Sequence, residues 1–387
     1  MDELASGADG VTVLPTWPDV IIAAAGGRLY VTANGRVLAY DPATGARQLG
    51  TLPGAAAGFF AAAATANRLY LSTVNHLLVV DTTGPSGPLV VGQTDGEYDE
   101  MVIDGSWMFT LQLADPAGLT VLSLADPDHP VPVAVQPADD QWHYVAAGEG
   151  RLLLLPSDCH DTAVLVFDTS AMPALRLAAQ MDSLEMPVYN VIALDDVAYV
   201  ELNDGWQIFD FARPESPVDG GPVRPWLTTS DAIGPSLQQG DRLFQGRRGE
   251  AVGNRVDVLD VHAPLSPTLL ASVPVPDDAG VTALAADDRH VYIATAHGDS
   301  RARLEVMDLA DARNAQHLGG MNLGAPAFAM AAEAGFVYAG VDQAVVVVDA
   351  SEGLVPRRVA QLDLGGDVID LQRAGRQSLA GLNALSP

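Results

Sequence analysis

The sequence predicts an all-β chain folded as a single β-propeller of eight four-stranded blades. Nine blades, closed jointly by both chain termini, is the alternative. Three observations predict this. A pattern of strands and turns recurs from Asp41 to Asp349 in seven steps of about 44 residues, the length of a propeller blade. β-branched and aromatic residues fill the strand positions, and Gly, Asp and Pro fill the turns, 37 Gly and 26 Pro in all. No stretch carries a helical hydrophobic period of adequate length.

Each repeat opens on an apolar strand and a Gly- or Asp-containing turn. The second strand is the clearest: Gly27-Arg28-Leu29-Tyr30-Val31, Asn67-Arg68-Leu69-Tyr70-Leu71, Gly150-Arg151-Leu152-Leu153-Leu154 and Asp196-Val197-Ala198-Tyr199-Val200. Asp241-Arg242-Leu243-Phe244, Arg289-His290-Val291-Tyr292-Ile293 and Gly335-Phe336-Val337-Tyr338 continue the series, with Gly105-Ser106-Trp107-Met108-Phe109 as a divergent copy. The third strand ends at Asp41, Asp81, Asp168, Asp210, Asp260, Asp308 and Asp349, with Ser123 in the remaining place. These positions lie 40, 42, 45, 42, 50, 48 and 41 residues apart. A Pro-rich turn and a fourth strand close the unit. The recurrent Asp reads as a turn cap, because a short acid at a strand end accepts backbone N–H groups of the following turn. A lone blade is apolar on both faces and buries them only by packing between neighbours in a ring.

The repeats fall at about 19–57, 58–97, 98–141, 142–187, 188–231, 232–279, 280–326 and 327–366. Residues 1–18 and 367–387 then close or decorate the ring. Val11-Thr12-Val13-Leu14-Pro15 reads as a lone strand, and Val368-Ile369-Asp370-Leu371-Gln372-Arg373 with Ser378-Leu379-Ala380 as two more.

Composition bounds the function classes. Apolar residues make up 48% of the 387, enough for a large core. The 49 acidic residues face 20 basic ones, all of them Arg, for a net charge of −29. So acidic a surface repels nucleic acid and anionic membrane, so no nucleic-acid partner is expected. The apolar stretch 55–66 is too short to span a bilayer, so no membrane span is expected either. One cysteine, Cys159, excludes an internal disulfide. The first residues, Met1-Asp2-Glu3-Leu4-Ala5, carry no basic or apolar leader. Two locations stay open: cytoplasmic, or exported with a leader outside this sequence.

The repeat phrases resemble a known family. His76-Leu77-Leu78-Val79-Val80-Asp81, Gly118-Leu119-Thr120-Val121-Leu122-Ser123, Gly205-Trp206-Gln207-Ile208-Phe209-Asp210 and Ala344-Val345-Val346-Val347-Val348-Asp349 are similar to the LVIVD-repeat bacterial β-propellers. That resemblance implies the fold over nearly the whole chain and an exported or surface-associated setting. Asp41-Pro42-Ala43-Thr44-Gly45 also resembles the quinoprotein propeller repeat. The Trp residues that dock that repeat are missing, so no quinone, and no other cofactor, is expected.

Familiar catalytic and metal motifs are absent from the sequence. What remains is position. Loops entering the first strand and loops joining the second and third gather on one face of a propeller, where sites form. Alignment puts Val20, Phe60, Tyr98, His143, Tyr189, Gly234, Thr282 and Phe328 at one position near the start of the first strand. With Asp99, Glu100, Trp142, Tyr144 and Asn190 beside them, they describe an aromatic, acidic pocket at the channel mouth. The alternative is that these rings fill the wedge between neighbouring blades. Arg247 and Arg248 either bind a carboxylate or phosphate or pair with neighbouring acids. The Asp158-Cys159-His160-Asp161 loop lacks further ligands at a diagnostic spacing, so no metal site is expected.

The leading functional expectation is an exported, non-catalytic propeller that binds or scaffolds a protein or glycan through its loop face. A small apolar ligand at that face is a further possibility. The alternative is a lyase, isomerase or cyclase using His143, His160 or His297 as acid or base beside Glu100.

Overall fold

The computed structural model describes 33 strands between Ile22 and Arg373 with part of their connections. Residues 1–21 and 374–387 lie outside the described residues. So do the loops 42–46, 54–58, 85–87, 113–117, 138–141, 157–163, 182–189, 214–217, 224–230, 250–252, 297–301, 309–312, 352–354 and 364–371, and scattered single or paired turn positions.

Every described element of regular structure is a strand, and the strands form eight sheets in chain order, antiparallel within each set of four. The first sheet holds Ile22–Ala25, Arg28–Ala33, Arg36–Asp41 and Arg47–Pro53, and the second Ala61–Ala64, Arg68–Ser72, His76–Asp81 and Leu89–Asp95. The third runs through Glu100–Asp104, Trp107–Gln112, Gly118–Ser123 and Val131–Pro137, and the fourth through Trp142–Gly148, Arg151–Pro156, Val164–Asp168 and Arg176–Met181. Asn190–Leu194, Val197–Leu202, Gly205–Asp210 and Val218–Val223 make the fifth; Asp231–Gln239, Arg242–Gly249, Arg255–Asp260 and Thr268–Pro274 make the sixth. The seventh comprises Gly280–Ala286, His290–Ala296, Ala302–Asp308 and Gln316–Asn322, and the eighth Ala327–Glu333, Phe336–Val341, Ala344–Asp349 and Arg357–Asp363. All eight third strands end on the Asp series or on Ser123.

The core lies between sheets. Tyr70, Leu77 and Val79 of the second sheet pack with Met108 and Leu122 of the third. Phe244, Val256 and Val258 of the sixth pack with Val291, Ile293 and Met307 of the seventh. Tyr292, Leu304 and Val306 of the seventh meet Val337, Val346 and Val348 of the eighth. A middle strand therefore buries both faces, which is why Ala344–Asp349 is an unbroken apolar run rather than an alternating one. Fourth strands are largely exposed, as Val131–Pro137 shows.

Two irregularities recur. Every ladder between a third and a fourth strand slips once, leaving one extra residue on the fourth: Leu49, Val91, Val133, Ala178, Gly220, Leu270, Leu318 and Val359. Such a bulge sharpens the twist and blunts an exposed edge against further pairing. The second is a tyrosine tie between sheets. Tyr30 Oη donates to the Thr82 carbonyl (2.9 Å) and Tyr70 Oη to that of Pro127 (3.2 Å), while Tyr199 Oη donates to that of Pro264. Each acceptor lies in the turn after the third strand of the next sheet. Arg68 of the second sheet likewise binds its own Asp81 and Asp128 of the third.

Among the described residues no ninth sheet forms. Gln372–Arg373 instead pairs in parallel with Ile22–Ala25 (Ala23↔Gln372, Ala24↔Arg373) and lies against Ala327–Glu333 of the eighth sheet. The predicted strand at Val11–Pro15 lies outside the described residues.

Candidate functional site

The recurrent Asp caps a turn. Asp81 accepts the Thr83 N–H (2.7 Å), Asp168 that of Ser170 (3.0 Å), Asp210 that of Ala212 (2.8 Å), Asp260 that of His262 (2.9 Å) and Asp349 that of Ser351 (3.1 Å). Ser123 does the same for Ala125 (3.3 Å). The Ser170 hydroxyl and N–H hold the Asp168 carboxyl below its ordinary value, and the Ser351 hydroxyl does so for Asp349. Among the described residues, no three His, Cys, Asp or Glu side chains converge.

The position shared by His143, Gly234, Thr282 and Phe328 is a backbone feature. In the fourth, sixth, seventh and eighth sheets the ladder between first and second strands slips there, so these residues face no partner. The bulge turns Phe328 outward, 54% exposed, while the Thr282 hydroxyl donates to the Ala327 carbonyl (2.6 Å) and ties the seventh sheet to the eighth. Tyr98, 4% exposed, sits instead in the core between the second and third sheets, where burial raises its phenol. Its backbone N–H is held by Ser72 Oγ (2.8 Å). Asp99 and Glu100 are half-buried at the start of the adjoining strand. Trp142, His143 and Tyr144 lie on one strand, and Asn190 opens another, facing Glu201 across the ladder. Phe60, Tyr189, His160 and His297 lie outside the described residues.

Arg247 is fully buried, with Nε 3.3 Å from Asp257 Oδ2. Asp257 also accepts from Arg255 Nε (3.2 Å) and from the Ser272 hydroxyl. Of the two roles read from the sequence, the structure gives Arg247 the acid pair. Arg248 follows it on the same strand. One sheet further on, Glu305 is buried between Arg303 Nε and His317 Nε2, both at 2.6 Å. Asp257 and Glu305 stand three places before Asp260 and Asp308, where four of the other repeats have the aliphatic Leu38, Leu78, Leu165 or Val346 and two have Thr120 or Gln207. An acid at that place is the sequence signal for both clusters.

An open cavity of the described structure lies elsewhere on the expected face. It has a volume of about 710 Å³ and lies on the eighth sheet, beside the connection that enters it from the seventh. One wall is the connection at 323–325 that enters the first strand of the eighth sheet; another is the hairpin at 341–344 that joins its second and third strands. The third wall is Arg358, Gln361 and Asp363 of the fourth strand. Arg358 donates to the Leu323 carbonyl (2.7 Å) and to Gln361 Oε1 (3.0 Å), and Gln361 Nε2 donates on to Asp363 Oδ1 (2.9 Å). Asp342 and Gln343 are exposed at the hairpin tip, Asp342 with φ of 49°. Asp tolerates that left-handed geometry better than most residues. None of these residues was among the sequence candidates.

No family model matches the chain, and no curated protein matches it. Solved structures do. Apo AztD from Citrobacter koseri is 12% identical over 88% of this chain and 95% of that chain, with a TM-score of 0.58. Sqt1 from Saccharomyces cerevisiae is 13% identical over 89% and 96%, with a TM-score of 0.56. The dihydro-heme d1 dehydrogenase NirN in complex with DHE is 13% identical over 92% and 76%, with a TM-score of 0.57. The chain has a β-propeller fold. At these identities the likeness concerns fold alone.

Proposed function

We propose that this chain is an eight-bladed propeller that binds a partner protein through its loop face and performs no catalysis. The observation that carries the reading is the open groove on the eighth sheet, built from the two kinds of loop that gather on that face. A second Sqt1, from Chaetomium thermophilum, is 11% identical over 83% of this chain and 93% of that chain, with a TM-score of 0.57. That protein is bound to the N-terminus of a ribosomal protein, so a propeller of this build accommodates a polypeptide. Closure into eight blades is supported by Gln372–Arg373, placed between the first strands of the first and eighth sheets. The resemblance to LVIVD-repeat propellers supports an exported or cell-surface setting.

The test is capture of a partner on the immobilised chain, in parallel with a Gln343→Trp variant that fills the groove. Gln343 is exposed at a hairpin tip, so the variant keeps the fold. We expect a partner retained by the wild-type chain and lost from the variant. Equal retention by both would place the binding surface elsewhere, and turnover of a captured small molecule would overturn the non-catalytic reading.

A further inference from the structure

The groove on the eighth sheet has a chemistry of its own, which narrows what fits it. Its floor is small and aliphatic, with Val341, Ala344 and Val346 below Leu323 and Ala325. Its volume, about 710 Å³, lies within the range of sites that hold a defined ligand. Among the described lining residues the one guanidinium, Arg358, is committed to the Leu323 carbonyl and Gln361. That interaction stiffens the wall and leaves the rim to two carboxylates, the exposed Asp342 and Asp363. Gln361 donates to only one oxygen of Asp363, and a carboxylate accepts at both. The exposed amide of Gln343 both donates and accepts, which is what a peptide main chain requires.

None of the described lining residues is aromatic. A sugar ring, which gains much of its affinity by stacking on aromatic faces, finds no platform among them. A net charge of −29 adds a long-range field that draws cations and repels acidic partners. We infer that the groove takes an extended, basic segment of a partner protein, its main chain along Gln343 and a Lys or Arg side chain meeting Asp342 and Asp363. The inference rests on the protein-binding reading above and specifies the partner's chemistry.

A fluorescein-labelled octapeptide of alternating Lys and Ala, titrated by fluorescence anisotropy at about 0.15 M salt, tests it. The wild-type chain should bind this peptide and not its Glu–Ala counterpart. The double variant Asp342→Asn/Asp363→Asn should bind at least about tenfold more weakly. A control with the same charge change on other sheets, Asp95→Asn/Asp241→Asn, should bind as the wild type does; both of those carboxylates are largely exposed. Equal loss in the two double variants would mean diffuse attraction and overturn the inference, as would no binding of the Lys–Ala peptide. Either result leaves the protein-binding reading to its own Gln343→Trp test.

Discussion

Arg247 and Asp257 face each other inside the sixth sheet, and their surroundings decide what each is worth. Arg247 lies two residues after Gln245 on a strand of period two, so both side chains leave the same face. Gln245 stands directly across the ladder from Asp257 and takes the Trp206 indole N–H of the fifth sheet (2.6 Å). The strand Arg242–Gly249 is longer than its counterparts in the first five sheets and carries the residue inward. Removing the carboxylate takes away an acid that both Arg247 and Arg255 bind. We expect Asp257→Ala to lower the unfolding free energy by about 3–5 kcal/mol in urea titrations. The double variant Arg247→Met/Asp257→Leu should lose less than that single change, because the buried partner charge goes with it.

At the scale of the strand, the tyrosine ties, together with Tyr292 inside the seventh sheet, make a pH-dependent contribution. Burial pushes the Tyr70 hydroxyl up to about 12 from an ordinary 10.0 and carries Tyr199 and Tyr292 higher still. In Tyr292 the neighbouring Asp287 carboxylate, which accepts its O–H (2.7 Å), raises it further. A group whose folded pKa is raised stabilises the fold fully below its unfolded value and loses that contribution as pH rises through the folded one. The urea midpoint should therefore hold up to about pH 10 and fall between there and about pH 12. Tyr199→Phe should cost about 1 kcal/mol near neutral pH and flatten part of that alkaline decline. These ties were half legible in the sequence. The Leu-Tyr-Val pattern and the Asp series show plainly, because period-two alternation and turn capping are local. The tie itself is not, since its acceptors, Thr82, Pro127 and Pro264, lie 52 to 65 residues away. The groove was not legible for a second reason. Arg358, Gln361 and Asp363 share no period-two register, yet they stand opposite Val348, Val346 and Ala344, which do. The extra residue Val359 shifts the register, and only the folded ladder reveals it.

For the whole molecule, the question is how a line of sheets becomes one cooperative body. Each sheet has two apolar faces, so a row without closure would leave the first and eighth each with one face in water. Gln372–Arg373 lies at that seam, paired with Ile22–Ala25 and touching Ala327–Glu333. Its parallel pairing is unlike the antiparallel order of every other described ladder, because a returning tail meets the first strand from outside the repeat. Removing residues 367–387 should therefore act on the seam and not on any one sheet. Two ladder rungs at roughly 1 kcal/mol each set a minimum loss of about 2 kcal/mol. If the tail fastens the ring, calorimetry of the shortened chain should show a lower Tm and a ratio of van't Hoff to calorimetric enthalpy below one, as end sheets unfold first. An unchanged Tm with a single cooperative transition would mean that the first and eighth sheets pack without the tail, leaving it as decoration on a ring closed by apolar faces alone.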